Sequence, residues 1–180
     1  MRKLLEEKDY VRRTWKNGRG ITSEILLSPP GEENFDWRLS QATLVDSGPF
    51  SIFPGINRWL VLLKGNPVIL KHTDREHTLE LMTPYSFSGQ EETWARVSAP
   101  GADFNLMLRE GKATGRITIG QTGLHKVSSD QFAIFSPAPS LIDGKTIEKY
   151  SLYYIENEIG SDVTIESTEP FLIIHIEGIL

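Results

Sequence analysis

Cysteine is absent from this 180-residue chain. Disulfide scaffolds and cysteine-ligated zinc or iron–sulfur centres are thereby excluded, and a reducing, cytoplasmic setting is the expectation. Histidine is scarce as well: His72, His77, His125 and His175 are the whole set. No two of them are two residues apart, whereas a non-haem metal site needs about two histidines and a carboxylate converging with open positions. His72, Glu76 and His77 could meet only through a bulged turn, so neither a metal nor another cofactor is expected. Basic excess is also missing. Against 24 acidic residues stand 19 basic ones, giving a net charge of −5. Phosphate-binding surfaces normally show the opposite balance, which argues against nucleic acid as a partner. Long apolar runs are lacking too. The longest candidate, Phe171 to Ile176, has the length of a buried strand, far short of the ~20 residues a membrane helix needs. The first eight residues, Met1 to Lys8, are too charged for a signal peptide. They carry the only helix-like pattern in the chain, with two apolar residues.

Turn formers, by contrast, are plentiful and evenly spread. Pro29-Pro30-Gly31, Ser47-Gly48-Pro49, Pro54-Gly55, Lys64-Gly65-Asn66-Pro67, Pro100-Gly101, Asp143-Gly144 and Asn17-Gly18 punctuate short runs that alternate apolar and polar residues. This is the pattern of an all-β sandwich or barrel. Thirteen such runs can be drawn, from Tyr10–Trp15 to Phe171–Ile176, too many for one eight-stranded barrel. Two barrels are therefore expected, residues 1–110 forming the first and 111–180 a smaller second, packed as one body with strand exchange between them left open.

Several runs share a property that bears on function. Side chains of a strand alternate faces with period two. Phe35, Trp37 and Leu39 thus oppose Arg38, Ser40 and Ala42. In the same way Trp59, Val61 and Leu63 oppose Arg58, Leu60 and Leu62, and Phe104, Leu106 and Leu108 oppose Asp103, Asn105, Met107 and Arg109. Thr22, Glu24 and Leu26 are expected on one face of the strand after Gly20. The polar faces are either solvated or converge inside a barrel mouth, where small ligands commonly bind.

Trp15-Lys16-Asn17-Gly18 with Gly20, Thr22 and Glu24 resembles the opening signature of the HutD/Ves family. Trp37-Arg38-x-Ser40-x-Ala42, Gly48-Pro49-Phe50-Ser51-x-Phe53-Pro54-Gly55, Arg58, Phe87-x-Gly89 and Asp103-Phe104-Asn105-Leu106-Met107-x-Arg109 follow in order. The resemblance runs from Trp15 to Gly111 and is looser beyond. It implies a cupin-like (RmlC-like jelly-roll) fold in a two-barrel arrangement. It further implies a bacterial protein with a ligand-binding or regulatory role beside histidine utilisation, with urocanate or a related acid as ligand. It implies no catalytic residue. Two positions depart from the family pattern: Arg19 stands where a glycine is usual, and Gln90 where an acid is usual.

The residues themselves argue for an anion site. A guanidinium holds a carboxylate through two parallel charge-assisted bonds and does not lose its charge near neutrality. Three arginines in one barrel repel each other, so some must be scaffold. Arg38 paired with Asp103 or Glu24 suits that role, and Arg58, expected at the mouth, is left as the ligand anchor. The expected pocket comprises Arg58, Glu24, Thr22, Arg38, Ser40, Asn105 and Arg109. The expected partner is a small carboxylate, with no nucleic acid and no membrane, and a homodimer left open. A metal-free isomerase or hydrolase using Glu24 or a histidine as base is the competing expectation. It is weakened by Arg38, which would pull the Glu24 carboxyl down from neutrality.

Overall fold

Alternating apolar and polar residues, cut by turn formers every few positions, fold almost wholly into antiparallel strands. The computed structural model describes residues 1–15, 20–31 and 34–179. The expected Asn17-Gly18 turn and Arg19 lie outside these. Strand β1 (Arg2–Leu5) opens the chain, followed by one 3-10 turn at Glu7–Asp9. Next come β2 (Val11–Thr14), β3 (Ile21–Ser28), β4 (Trp37–Leu44), β5 (Gly48–Pro49) and β6 (Ile56–Lys64). They are followed by β7 (Val68–Lys71), β8 (Glu76–Leu79), β9 (Tyr85–Ser88), β10 (Trp94–Arg96) and β11 (Gly101–Arg109). The rest are β12 (Ala113–Gly120), β13 (Gly123–Lys126), β14 (Gln131–Ser136) and β15 (Ser140–Ile142). β16 (Lys145–Ile147), β17 (Ser151–Glu156), β18 (Asp162–Glu166) and β19 (Phe171–Gly178) complete them. No described helix is long and apolar enough to cross a membrane.

The chain divides into two compact units, Val11–Lys112 and Met1–Tyr10 together with the residues from Ala113 onward. In the first unit a six-stranded sheet, β2-β3-β4-β11-β6-β9, faces a four-stranded sheet, β5-β10-β7-β8. Their facing sides bury Leu44, Leu60, Leu62 and Phe87 against Val68, Leu70, Leu79 and Ala95. Each such side chain contributes roughly 1.5–3 kcal/mol when fully removed from water. The second unit pairs a five-stranded sheet, β1-β17-β14-β19-β12, with β13-β18-β15-β16. Its interior is filled by Phe132, Ile134, Tyr153, Ile155, Phe171 and Ile173 among others, and is an ordinary packed core.

Two expectations are corrected here. The N-terminal segment is a strand, not a helix: Arg2 to Leu5 pair with Ile155 to Leu152 of β17. Eight residues, little more than two helical turns, are too few to hold a helix on their own. An available sheet edge supplies its backbone partners instead, and Arg2 adds ion pairs to Asp143 and Glu158. The first ten residues accordingly group with the C-terminal unit. The second correction is on β3. Glu24 pairs with Ser40 but Leu26 pairs with Leu39, so a bulge lies between them. It shifts the alternation by one residue. Leu27, rather than Leu26, ends up opposite Arg38 on the side of Thr22 and Glu24.

Candidate ligand-binding site

Residues directly opposite each other in an antiparallel ladder share a face. The register of β3, β4, β11 and β6 therefore sorts the expected pocket into three rows. One row runs Phe87, Arg58, Met107, Arg38, Leu27. The next runs Leu60, Asn105, Ser40, Glu24, and the third Leu62, Asp103, Ala42, Thr22. Leu60, Leu62 and Phe87 belong to the core between the two sheets, so this polar face looks inward. Arg38, Arg58, Ser40, Asn105, Glu24 and Thr22 are thus brought to one surface inside the first unit. Arg109 lies one step beyond Met107 and Arg58, paired with Ile56.

Arg58 is not at a rim. It is only 6% exposed. The chain after β5 folds back over it: Phe53 N–H donates to Gly89 O at 2.7 Å, and Gly89 N–H to Ile56 O at 2.6 Å. Its guanidinium carbon lies 5.2 Å from the Phe50 ring centre, 5.7 Å from that of Phe53 and 5.1 Å from that of Phe87. Three ring faces around one cation attract it electrostatically, but they supply no hydrogen-bond acceptor. Among the described residues the guanidinium makes no hydrogen bond or ion pair, and Nε is sealed from solvent without a partner. Burial lowers its pKa to about 10, with Asp103 opposing and Arg38 adding to that fall. The group stays charged at neutral pH.

Asp103 is the acid of this face, and its charge acts on Arg58 rather than on Arg38. It is 3% exposed, and its Oδ1 has no hydrogen-bond partner among the described residues. Burial raises the carboxyl to about 7, against the pull of Arg58. Arg38 is half-buried, lies 4.9 Å over the Phe35 ring, and donates from Nη2 to Met107 Sδ at 3.0 Å. Burial lowers its pKa while Glu24 opposes that. Of the two acids expected as its scaffold, Glu24 is the one that acts on it. The Nε of Arg38 and the Oδ1 of Asn105 are likewise sealed without partners among the described residues. Four orphaned polar atoms, from Arg38, Arg58, Asp103 and Asn105, therefore gather on one inward face. A buried polar atom left unpaired costs about 1–3 kcal/mol, so their concentration marks the place as built for something besides stability.

Two of the expected wall residues are already committed. Thr22 Oγ1 accepts a hydrogen bond from Trp15 Nε1 at 2.8 Å. Arg109 donates from Nε to the Phe35 carbonyl at 2.8 Å, and its backbone N–H bonds Asp36 O. Arg109 is a clamp on the segment before β4.

The sequence reading missed what surrounds Arg58. Phe50 and Phe53 were visible only as flanks of a Pro54-Gly55 turn, and nothing in a period-two pattern says that a turn will fold inward. It also missed a polar cluster on the far side of Phe87. His72 is buried, with Nε2 at 3.1 Å from Tyr85 Oη and Nδ1 at 3.1 Å from both Thr93 Oγ1 and Glu91 Oε2. Burial lowers its pKa, and the neighbouring Glu91 carboxylate opposes that fall. Arg75 holds Glu91 through two bonds, of 2.6 and 2.9 Å. His77 does not join His72 around an ion; its ring stacks on Tyr85 at 3.6 Å. Among the described residues no three metal-ligating side chains converge. His175 is a buried histidine in the second unit, bonded to Ser128 and lowered by burial to about 4.

The family model HutD matches residues 7–164 of this chain. Protein Ves of Escherichia fergusonii is 37% identical over 108 residues, 58% of this chain and 56% of that protein, so the chain spans little more than half of that relative. HutD from Pseudomonas fluorescens SBW25 superposes with a TM-score of 0.88 over 99% of both chains, at 26% identity. A conserved protein of Pseudomonas aeruginosa PAO1 superposes at 0.83, covering 98% of this chain and 99% of its own, with 23% identity. The architecture is the two-barrel, cupin-like jelly roll of these structures. The chain belongs to the HutD family.

Proposed function

We propose that this protein binds a small carboxylate on the inward face of its first barrel, without turning it over. The acid group sits at Arg58, with Arg38, Asn105, Ser40 and Glu24 around it. The observation that carries the reading is Arg58 itself: a charged guanidinium, almost wholly buried, caged by three rings and given no acceptor among the described residues. A carboxylate is the ligand that would use such a group, through two parallel bonds and a charge of opposite sign. Hydrogen bonds to charged groups contribute roughly 1.5–3 kcal/mol each. Two of them plus ring contacts reach micromolar affinity, about −8 kcal/mol. Kinship with HutD proteins favours urocanate or a related histidine-pathway acid, and a role in modulating histidine utilisation.

A thermal-shift screen of histidine-pathway acids tests this. At about one hundred times the dissociation constant, a ligand adds ~2.7 kcal/mol to stability, a rise of roughly 5–10 °C for a chain of this size. No rise with any such acid would refute the ligand class. One observation favours a second reading, a metal-free isomerase or hydrolase: Asp103 titrates near 7, where general acid–base groups work best. Incubating the same acids with the protein and following them by proton NMR separates the two, since binding alone creates no new compound in the pool.

A further inference from the structure

The ends of β5, β7 and β10 leave a groove of about 340 Å3 beside the candidate site, lined by Phe50, Ile52, Lys71, His72, Thr93 and Trp94 among others. Its rim is unusually apolar for a surface: Trp94 is 50% exposed and Ile52 52%. Its depth is polar and sealed, formed by the bonded pair His72 and Thr93. Lys71 sits directly across the ladder from Trp94.

Two contacts join this groove to Arg58. Phe50 lines the groove, and its ring centre is 5.2 Å from the Arg58 guanidinium carbon. The His72 ring lies 5.4 Å from that of Phe87, which is itself 5.1 Å from the same guanidinium. A single aromatic layer therefore separates the groove from the buried cation. Phe50 is the layer that can move. Its backbone N–H is tied to Thr93 O at 2.8 Å, and the next main-chain tie is Phe53 N–H to Gly89 O. Ser51 and Ile52 between them are exposed. Turning the half-buried Phe50 side chain to another rotamer breaks no backbone bond and takes away one of the three rings around Arg58.

We propose that this groove is the entrance to the Arg58 site and the seat of the ligand's body, with Phe50 the ring that swings aside as the acid group passes. This rests on the carboxylate reading above and names the class of acid: planar and conjugated or heteroaromatic. The exposed Trp94 indole lines the groove together with Phe50, and a flat ring laid on such a wall gains the offset stacking that aromatic pairs favour. A saturated, branched acid does not. His72 shapes the floor of the groove, its two nitrogens already taken up by Tyr85, Thr93 and Glu91.

The test reads Arg58 directly, by site-resolved mass spectrometry after treatment with phenylglyoxal, which modifies accessible guanidinium groups. F50A and F50L are compared with the wild type, each first shown folded by circular dichroism. Roughly tenfold faster modification of Arg58 in both, as expected for removing a steric barrier, supports the entrance. Urocanate, the planar acid used as probe, is expected to slow the modification in the wild type. It is also expected to change tryptophan emission there but not in W94F. Unchanged Arg58 reactivity in the folded Phe50 variants overturns the proposal. So does protection by urocanate with no emission change that depends on Trp94. Faster modification in the variants, with urocanate neither protecting nor altering emission, supports the entrance and overturns the carboxylate reading.

Discussion

Replacing Asp103 by Asn should make stability less dependent on pH, and the size of the effect follows from where Asp103 sits. An aspartate in the unfolded chain titrates near 3.9. In the folded protein burial raises it to about 7, and the Arg58 charge and the Ala42 backbone N–H offset only part of that rise. A carboxyl whose folded pKa lies above its unfolded one favours the fold while protonated. That contribution is complete below the unfolded value and is lost as pH rises through the folded one. Each pH unit between the two removes about 1.4 kcal/mol. Between about pH 5 and pH 8, a range that covers the upper part of that interval and passes its end, the wild type should lose roughly 3 kcal/mol that D103N retains. His175, lowered by burial to about 4, destabilises both proteins below its ordinary range as pH falls and cancels in the comparison. Asn keeps the shape and one acceptor, so packing is preserved. Urea unfolding of both proteins at several pH values measures the difference. Parallel curves would refute the argument that burial controls this acid. A variant that falls further below the wild type as pH rises would show that attraction to Arg58 prevails over burial.

Three further outcomes test the frame around the site. Leu60, fully buried between Arg58 and Leu62 on β6, should cost about 2–5 kcal/mol when cut to Ala, read as a lower urea midpoint with unchanged slope. A Cβ at Gly101 would come 2.4 Å from the Lys64 carbonyl oxygen, which belongs to a paired backbone and cannot swing away. G101A should therefore lose at least ~1–3 kcal/mol, whereas G48A, with open space at its Cβ, should melt with the wild type. Arg38→Ala removes a half-buried cation stacked on Phe35 but no ion pair found among the described residues, and should cost only about 1 kcal/mol. A loss several times larger in thermal melts would mean that Glu24 is its firm partner.

Much of the inward face was legible because the information is local. Arg38, Ser40 and Ala42 alternate with Trp37, Leu39 and Gln41, and Arg58, Leu60 and Leu62 with Trp59, Val61 and Leu63. The ladder then places facing residues side by side. The bulge after Glu24 was not legible. Ile25, Leu26 and Leu27 are all apolar, so a one-residue slip leaves no mark in the pattern. Depth was not legible either. A period of two gives the face of Arg58 but not the fold-back of Phe50 and Phe53 that buries it, because that closure depends on long-range bonds to Thr93 and Gly89. Six short strands, β1, β5, β9, β13, β15 and β16, escaped as well. None exceeds four residues, too few to show alternation. For β1 the partner strand lies about 150 residues away and nothing local announces it.

Calorimetric titration of urocanate into the wild type and R58M shows whether the buried guanidinium of Arg58, given no acceptor among the described residues, holds a carboxylate. Met keeps an unbranched apolar stem like that of Arg without the charged head, so the fold should survive and, freed of a buried cation, be no less stable without ligand. The account predicts micromolar, one-to-one binding to the wild type and none to R58M, with both proteins giving the same far-ultraviolet circular dichroism. Equal affinity for the two proteins would contradict it.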